Sequence, residues 1–74
     1  MTVNRAIPGY VYQIDSLGPA SRAAGLMYGH RYTYAYAPNT ETHVFRHTED
    51  EYAIGLQSRD ARDVIISIYG RANT

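Results

Sequence analysis

"DVIISIYGR", residues 63–71, is the stretch whose conformation decides how this chain folds. It is dominated by valine and isoleucine, whose β-branched side chains lose χ1 freedom in a helix and pack well on a sheet. A short apolar run of this kind is typical of a strand inside a sheet that is covered on both faces. An amphipathic helix that begins behind Ser58 is the alternative. We predict a central strand over residues 64–69.

Three upstream stretches also have the character of strands. They read "GYVYQI" at residues 9–14, "HRYTYAYA" at 30–37 and "THVFRH" at 42–47. The second alternates strictly, so that its three tyrosines share one face of a strand while its threonine and alanines share the other. Turn-forming Gly, Pro, Asn and Asp residues separate the stretches. We therefore expect an antiparallel sheet that is built from short strands.

Two helices are predicted between these strands. "PASRAAGL", residues 19–26, has a proline at a first helical position and Gly25 where a left-handed cap would lie, which indicates one or two turns. In the second segment, Thr48 and Glu51 form a capping-box pattern, and three acidic residues occupy the first turn, where the helix dipole favours them. The sequence therefore predicts a longer helix over residues 48–58.

The composition indicates one domain over residues 1–74. Cysteine is absent, so no disulfide can compensate for a small core. All seven basic residues are arginine and seven residues are acidic, so the chain lacks the basic excess of a dedicated nucleic-acid binder. No apolar run is long enough to span a bilayer, and no secretory signal is evident. We expect no membrane partner, and a cytoplasmic location if the chain is full length.

Histidines and serines are the residues that could carry chemistry. His43 and His47 are four residues apart and share a face, and His30 or Glu41 could supply a third zinc ligand. No second ligand pair accompanies them, so we expect no metal and no other cofactor. A chain of this size has little room for a water-excluding pocket, and we expect that it is not an enzyme. No nucleophile motif surrounds any of its serines, which are Ser16, Ser21, Ser58 and Ser67.

The order and spacing of these elements resemble those of a PDZ domain over about residues 9–71. "YQIDSLGPASRAAGLMYGHRYTYAYAPN" is similar to the part of that family in which a strand leads through a small-residue turn and an Ala-Gly-Leu step into the next strand. "TEDEYAIGLQSRDARDVIISIYGR" is similar to the later part, an acid-started helix followed by an apolar strand. The family's carboxylate-binding loop has no clear counterpart before Gly9. The resemblance implies an α+β fold with a small, partly open antiparallel β-sheet or barrel, one short helix and one longer helix.

The same resemblance implies a non-enzymatic module that binds a protein or peptide partner. A partner segment would add a strand by β-augmentation in a groove beside the helix over residues 48–58. A strand at residues 3–7 would pair with that segment. An open sheet edge in so short a chain also allows a homodimer. The residues expected to contact the partner are Arg5, Tyr10, Tyr12, Asp50, Ile54 and Gln57.

Two other functions remain open from the sequence. A lysine-free chain rich in tyrosine and arginine has the character of a stand-alone phage or mobile-element inhibitor, similar to anti-CRISPR proteins, that occupies the surface of a host complex. Its contact surface would combine the acidic residues 49–51 with a stripe of basic and aromatic residues. The same stripe could instead stack single-stranded nucleic acid, a function that the neutral net charge disfavours. The stripe consists of Arg31, Tyr32, Tyr34 and Tyr36.

Overall fold

The computed structural model describes residues 1–71. Within them the chain forms five strands, one α-helix and a 3₁₀ turn at Val3–Arg5. Together they make a small α+β fold. The elements that follow the 3₁₀ turn are β1 at Tyr10–Ser16, α1 at Pro19–Ala24, β2 at Arg31–Ala37, β3 at Thr42–His47, β4 at Ala53–Gln57 and β5 at Ile65–Arg71.

The five strands form an antiparallel sheet in the order β4-β3-β2-β1-β5. β1 to β4 follow one another as a meander, and β5 returns to the free side of β1. The strands predicted over 9–14, 30–37 and 42–47 are confirmed, with ends that differ by at most two residues.

One face of the sheet carries the core. Side chains alternate along each strand, so every second residue faces the segments that cover this side. The Tyr32 and Tyr34 rings each make a T-shaped contact with the Phe45 ring, with ring centroids 6.2 and 5.6 Å apart. The buried apolar cluster consists of Tyr12, Ile14, Tyr32, Tyr34, Phe45, Ile54, Leu56 and Ile66 from the strands, with Val3, Leu26, Ala61 and Val64 from the connecting segments.

The short helix α1 forms as predicted. Pro19 occupies its first turn, and the Ser21 hydroxyl accepts a hydrogen bond from the Gly18 N–H and lies 3.2 Å from the Gly18 carbonyl oxygen. Gly25 ends the helix with φ of 113°, a left-handed conformation that glycine adopts without steric cost. This helix lies against β4, and Gly25 at its end closely approaches the Ile54 side chain.

The helix predicted over residues 48–58 is wrong. The Nδ1 atom of His47 accepts hydrogen bonds from the backbone N–H groups of Glu49 and Asp50, which closes a tight turn where the helix should begin. Glu51 then adopts a positive φ of 59°, which a right-handed helix does not allow. From Ala53 onward the residues alternate between exposed and buried as strand β4.

The tail segment forms a strand as predicted, but its central position is wrong. β5 lies at one edge of the sheet and pairs with β1 alone among the strands. Only Ile66 of its three isoleucines is buried, whereas Ile65 and Ile68 are exposed. The apolar run therefore reflects a half-exposed edge rather than burial on both faces.

The region before β1 also differs from its prediction. Residues 3–7, expected as a peptide-pairing strand, instead contain the 3₁₀ turn, and Val3 is buried in the core. No helix within residues 1–71 has the length and apolar character needed to cross a membrane.

Candidate functional site

The outer side of β5 is already engaged at one end by the chain itself. The Met1 nitrogen donates to the Ile66 carbonyl oxygen at 2.7 Å, and the Ile66 N–H donates to the Met1 carbonyl oxygen at 2.8 Å. Thr2 forms an antiparallel bridge with Ile65. Residues 1 and 2 thus act as a very short added strand on the free side of β5.

Beyond Ile66 this side of β5 is open within the described residues. Because successive residues of a strand direct their backbone groups to opposite sides, the N–H and C=O of Ile68 point the same way as those of Ile66, away from β1. The Ile68 and Tyr69 side chains are 57% and 59% exposed. We call the outer side of β5 from Ile66 to Arg71 the β5 edge.

The surroundings of the β5 edge are aromatic and basic. Ile68 is the register partner of the buried Tyr12, whose hydroxyl accepts a hydrogen bond from the exposed Ile7 at 2.8 Å. The Arg31 guanidinium carbon lies 4.0 Å from the ring centroid of Tyr69. Arg71 makes a longer contact of the same kind, 5.4 Å, with the Tyr10 ring. Both contacts hold arginines beside exposed apolar surface.

A β-bulge lies within the β5 edge. Tyr12 pairs with Ile68 while Val11 pairs with Gly70, so Tyr69 is an extra residue on β5. Bulges are common at sheet edges, where they re-aim a side chain and limit how far pairing extends. A strand added here would therefore be short and would centre on Ile68.

The two histidines of β3 lie on the core side of the sheet and have separate partners. His47 Nε2 is 2.9 Å from His30 Nδ1, and the rings of His47 and Tyr52 are stacked. Because two backbone N–H groups donate to His47 Nδ1, neutral His47 carries its proton on Nε2 and donates it to His30. This pair borders a small cleft of about 180 Å³.

His43 is the middle of a hydrogen-bonded chain. Its Nδ1 atom lies 2.6 Å from the Tyr34 hydroxyl, and its Nε2 atom lies 2.9 Å from the Ser58 Oγ. Burial lowers the pKa of His43 and raises the pKa of Tyr34, so both groups are neutral at neutral pH. An open cleft of about 420 Å³ borders all three side chains.

The zinc arrangement weighed for the histidines does not form among residues 1–71. No group of three or more His, Cys, Asp or Glu side chains in this part of the chain is placed to hold a metal ion. His43 and His47 share a face, as their spacing indicates, but each is occupied by its own hydrogen-bond partners.

The six predicted partner-contact residues do not meet in one groove. Tyr12 and Ile54 are buried in the core, Asp50 is exposed in the turn before β4, and Gln57 is exposed at the end of β4. Tyr10 begins β1, and Arg5 is exposed in the 3₁₀ turn, outside every strand. β3 and β2 separate Tyr10 from Ile54 and Gln57 on β4, a distance of about 14 Å at the usual strand spacing.

The tyrosine stripe is mostly core. Tyr32 and Tyr34 are buried, so their rings cannot stack nucleic-acid bases or cover a partner. Tyr36 is 39% exposed and Arg31 is exposed, but the latter lies over Tyr69. The acidic residues 49–51 are exposed in the turn between β3 and β4.

The sequence reasoning missed two features of these sites. The sequence predicts that Ile68 and Tyr69 belong to a strand, but only the order of the strands shows that this strand lies at an edge of the sheet. Ser58 and His43 are 15 residues apart, and the pairing of β3 with β4 brings them together. The available signal was the alternation of Ile54 and Leu56 with small or polar residues, which is typical of a strand. A strand predicted there would have placed Ser58 at its end, next to β3.

Comparison of the chain with protein-family models, with curated proteins and with solved structures finds no match.

Proposed function

We propose that this protein is an interaction module that binds a short segment of a protein partner as an added strand on the β5 edge. One observation carries the proposal: both backbone groups of Ile66 already bond to Met1 in the manner of an antiparallel sheet. The edge therefore has the geometry that β-augmentation needs. Two residues further along, the backbone N–H and C=O of Ile68 point outward and are available to a partner strand.

The direction and chemistry of the partner follow from the surroundings. Thr2 pairs antiparallel to Ile65, so a partner segment would run antiparallel to β5, in line with residues 1 and 2. The exposed side chains of Ile68 and Tyr69 favour apolar residues in that segment. Arg31 and Arg71 lie at the rim of the β5 edge and favour an acidic residue in the part of the partner segment that lies beside them.

β-Augmentation is also what the sequence predicts, but the site proposed here is the β5 edge and not a groove beside residues 48–58. The groove expected beside residues 48–58 needs a helix that does not form. Membership of the PDZ family stays a hypothesis on which strand addition at the β5 edge does not depend. The inhibitor hypothesis retains the exposed acidic turn but loses Tyr32 and Tyr34 as contact residues.

The test is selection of short peptides from a displayed random library on the immobilised protein, followed by NMR with the selected peptide. We expect apolar peptides with an acidic residue. Their addition should shift the amide signals of β5 and protect the Ile68 amide from hydrogen exchange. Peptides that bind elsewhere and leave the Ile68 amide unprotected would contradict the proposal.

A matched pair of variants isolates the backbone contribution. Ile68→Pro removes an N–H that points away from the sheet, which an edge strand tolerates. It should abolish peptide binding, whereas Ile68→Val, which keeps the N–H and the branched side chain, should bind nearly as well as the original. Equal binding by both variants would show that no strand is added at this position.

A further inference from the structure

Ser58, His43 and Tyr34 have the arrangement of an activated hydroxyl group. Ser58 is exposed at the end of β4, while His43 is 5% exposed and Tyr34 is 3% exposed. The distances of 2.9 Å from Ser58 Oγ to His43 Nε2 and 2.6 Å from His43 Nδ1 to the Tyr34 hydroxyl fix the imidazole between the two hydroxyls. An accessible nucleophile, an adjacent base and a third group that orients the base are the parts of covalent catalysis.

The protonation states suit this role. Burial lowers the pKa of His43, so its imidazole is neutral and can accept a proton at neutral pH. The Tyr34 hydroxyl stays protonated because burial raises its pKa. For Nε2 to accept the Ser58 proton, neutral His43 carries its own proton on Nδ1 and donates it to the Tyr34 hydroxyl oxygen, both in the resting chain and after Nε2 is protonated.

The cleft beside Ser58 offers room for a small substrate. It measures about 420 Å³ and is open to solvent, with Ala6, Pro8 and the Tyr36 ring on its walls. The Asn4 side chain also lines it and supplies an amide group that can donate to a carbonyl oxygen. The mixture of apolar walls and a few polar groups is typical of small-molecule sites.

We infer that Ser58 is a nucleophile that accepts an acyl group from small activated esters, with His43 as its general base and Tyr34 as the positioning residue. Ser58 Oγ bonds to the ester carbonyl carbon and passes its proton to His43 Nε2. The bond from that carbon to the alkoxy oxygen breaks, and the departing oxygen takes the proton from His43. Water then attacks the acyl-serine, gives a proton to His43, and Ser58 leaves with that proton. The net reaction is ester plus water to acid plus alcohol.

The absence of lysine makes this reactivity unusually easy to measure, since side-chain amines do not compete for the acyl group. The whole protein is incubated with p-nitrophenyl acetate at neutral pH. Release of p-nitrophenolate is followed by absorbance, and the acetylated position is located by peptide mass mapping. We expect acetyl on Ser58 ahead of the Met1 amine and of every other hydroxyl.

Two variants and one control separate the chemistry from background. Ser58→Ala should remove the labelled peptide, whereas Ser16→Ala, at another exposed serine, should leave the rate unchanged. His43→Gln should slow acylation about 10²- to 10⁴-fold, the usual contribution of a general base. Labelling of Ser16 as fast as Ser58, or an unchanged rate in folded Ser58→Ala, would overturn the inference.

The role of Tyr34 has its own readout. Tyr34→Phe removes only the hydroxyl, so it should shift the midpoint of the pH–rate profile as well as lower the rate. Wild-type protein provides the same check if a variant fails to fold, because its acylation rate must rise with pH as His43 loses its proton. A rate that follows hydroxide concentration alone across this range would contradict the assignment of His43 as base.

Discussion

The buried tyrosines connect the sheet to the segments that cover it. The Tyr12 hydroxyl accepts from the backbone of Ile7, the Tyr32 hydroxyl accepts from the backbone of Met27, and the Tyr34 hydroxyl bonds His43. Each ring fills the core while its hydroxyl bonds a polar group of a neighbouring segment. This use of tyrosine explains a core in which phenylalanine occurs only once.

Tyr12→Phe tests this role at a single atom. The Ile7 N–H loses its protein acceptor but is on a half-exposed residue, so we expect the free energy of unfolding to fall by about 0.5–1.5 kcal/mol, the net contribution of one hydrogen bond. Urea denaturation measures the change. Tyr28→Phe is the matched control, because Tyr28 is 70% exposed and its loss of a hydroxyl should leave stability unchanged. Equal stability of Tyr12→Phe and the wild type would show that the hydrogen bond contributes nothing.

The lowered pKa of His43 predicts how the free energy of unfolding depends on pH. Its folded pKa lies below its ordinary value of 6.5, so the unfolded chain binds a proton more readily than the folded one. Stability is therefore complete above about pH 6.5 and falls as the pH drops below it, by at most about 1.4 kcal/mol per pH unit for one group. Folded His43→Gln should show a smaller slope over this range in chemical denaturation; identical slopes would contradict the assignment.

At the scale of elements, the β3–β4 turn shows where local sequence signals mislead. Thr48 and Glu51 fit a helix start, yet the acceptor that the backbone uses is the His47 ring. That contact depends on the imidazole being held by β3 and His30, which the local pattern does not contain. The strands with clear alternation were predictable, whereas the edge position of β5 depends on long-range pairing.

Glu51→Gly distinguishes the turn from the predicted helix, because it should raise the free energy of unfolding in the turn and lower it in a helix. In the turn, Glu51 has a φ of 59°, which costs a residue with a side chain about 1–2 kcal/mol. Glycine removes that strain but has a more flexible unfolded state, so we expect a net gain of up to about 1 kcal/mol. In a helix the same change would lose about 1 kcal/mol. Urea denaturation decides between the two.

At the scale of the whole molecule, the surface charges are left without partners. Among residues 1–71 no arginine pairs with a carboxylate, and the 3.9 Å contact between His47 Nδ1 and the Asp50 carboxylate would be an ion pair only with a protonated His47. Arg31 lines the same small cleft as Glu49 without pairing with it, and Arg71 lies on β5, at the other edge of the sheet from β4. The fold therefore relies on its apolar core and backbone pairing rather than on surface electrostatics.

This distribution predicts a difference between folding and binding. Raising sodium chloride to about 1 M should change the free energy of unfolding by less than about 0.5 kcal/mol, since no surface ion pairs are lost. Peptide binding at the β5 edge should weaken over the same range, because the arginines at its rim are screened. Chemical denaturation and titration calorimetry measure the two quantities, and a strongly salt-dependent stability would contradict this account.

Residue-resolved amide hydrogen exchange of the free protein tests most directly whether the β5 edge is open. The account predicts slow exchange for Ile66, whose N–H bonds to Met1, and fast exchange for Ile68, whose N–H points outward. Deleting Met1 and Thr2 should make Ile66 exchange as fast as Ile68. An Ile68 amide as protected as that of Ile66 in the free protein would mean that the edge is closed and that no partner strand can be added there.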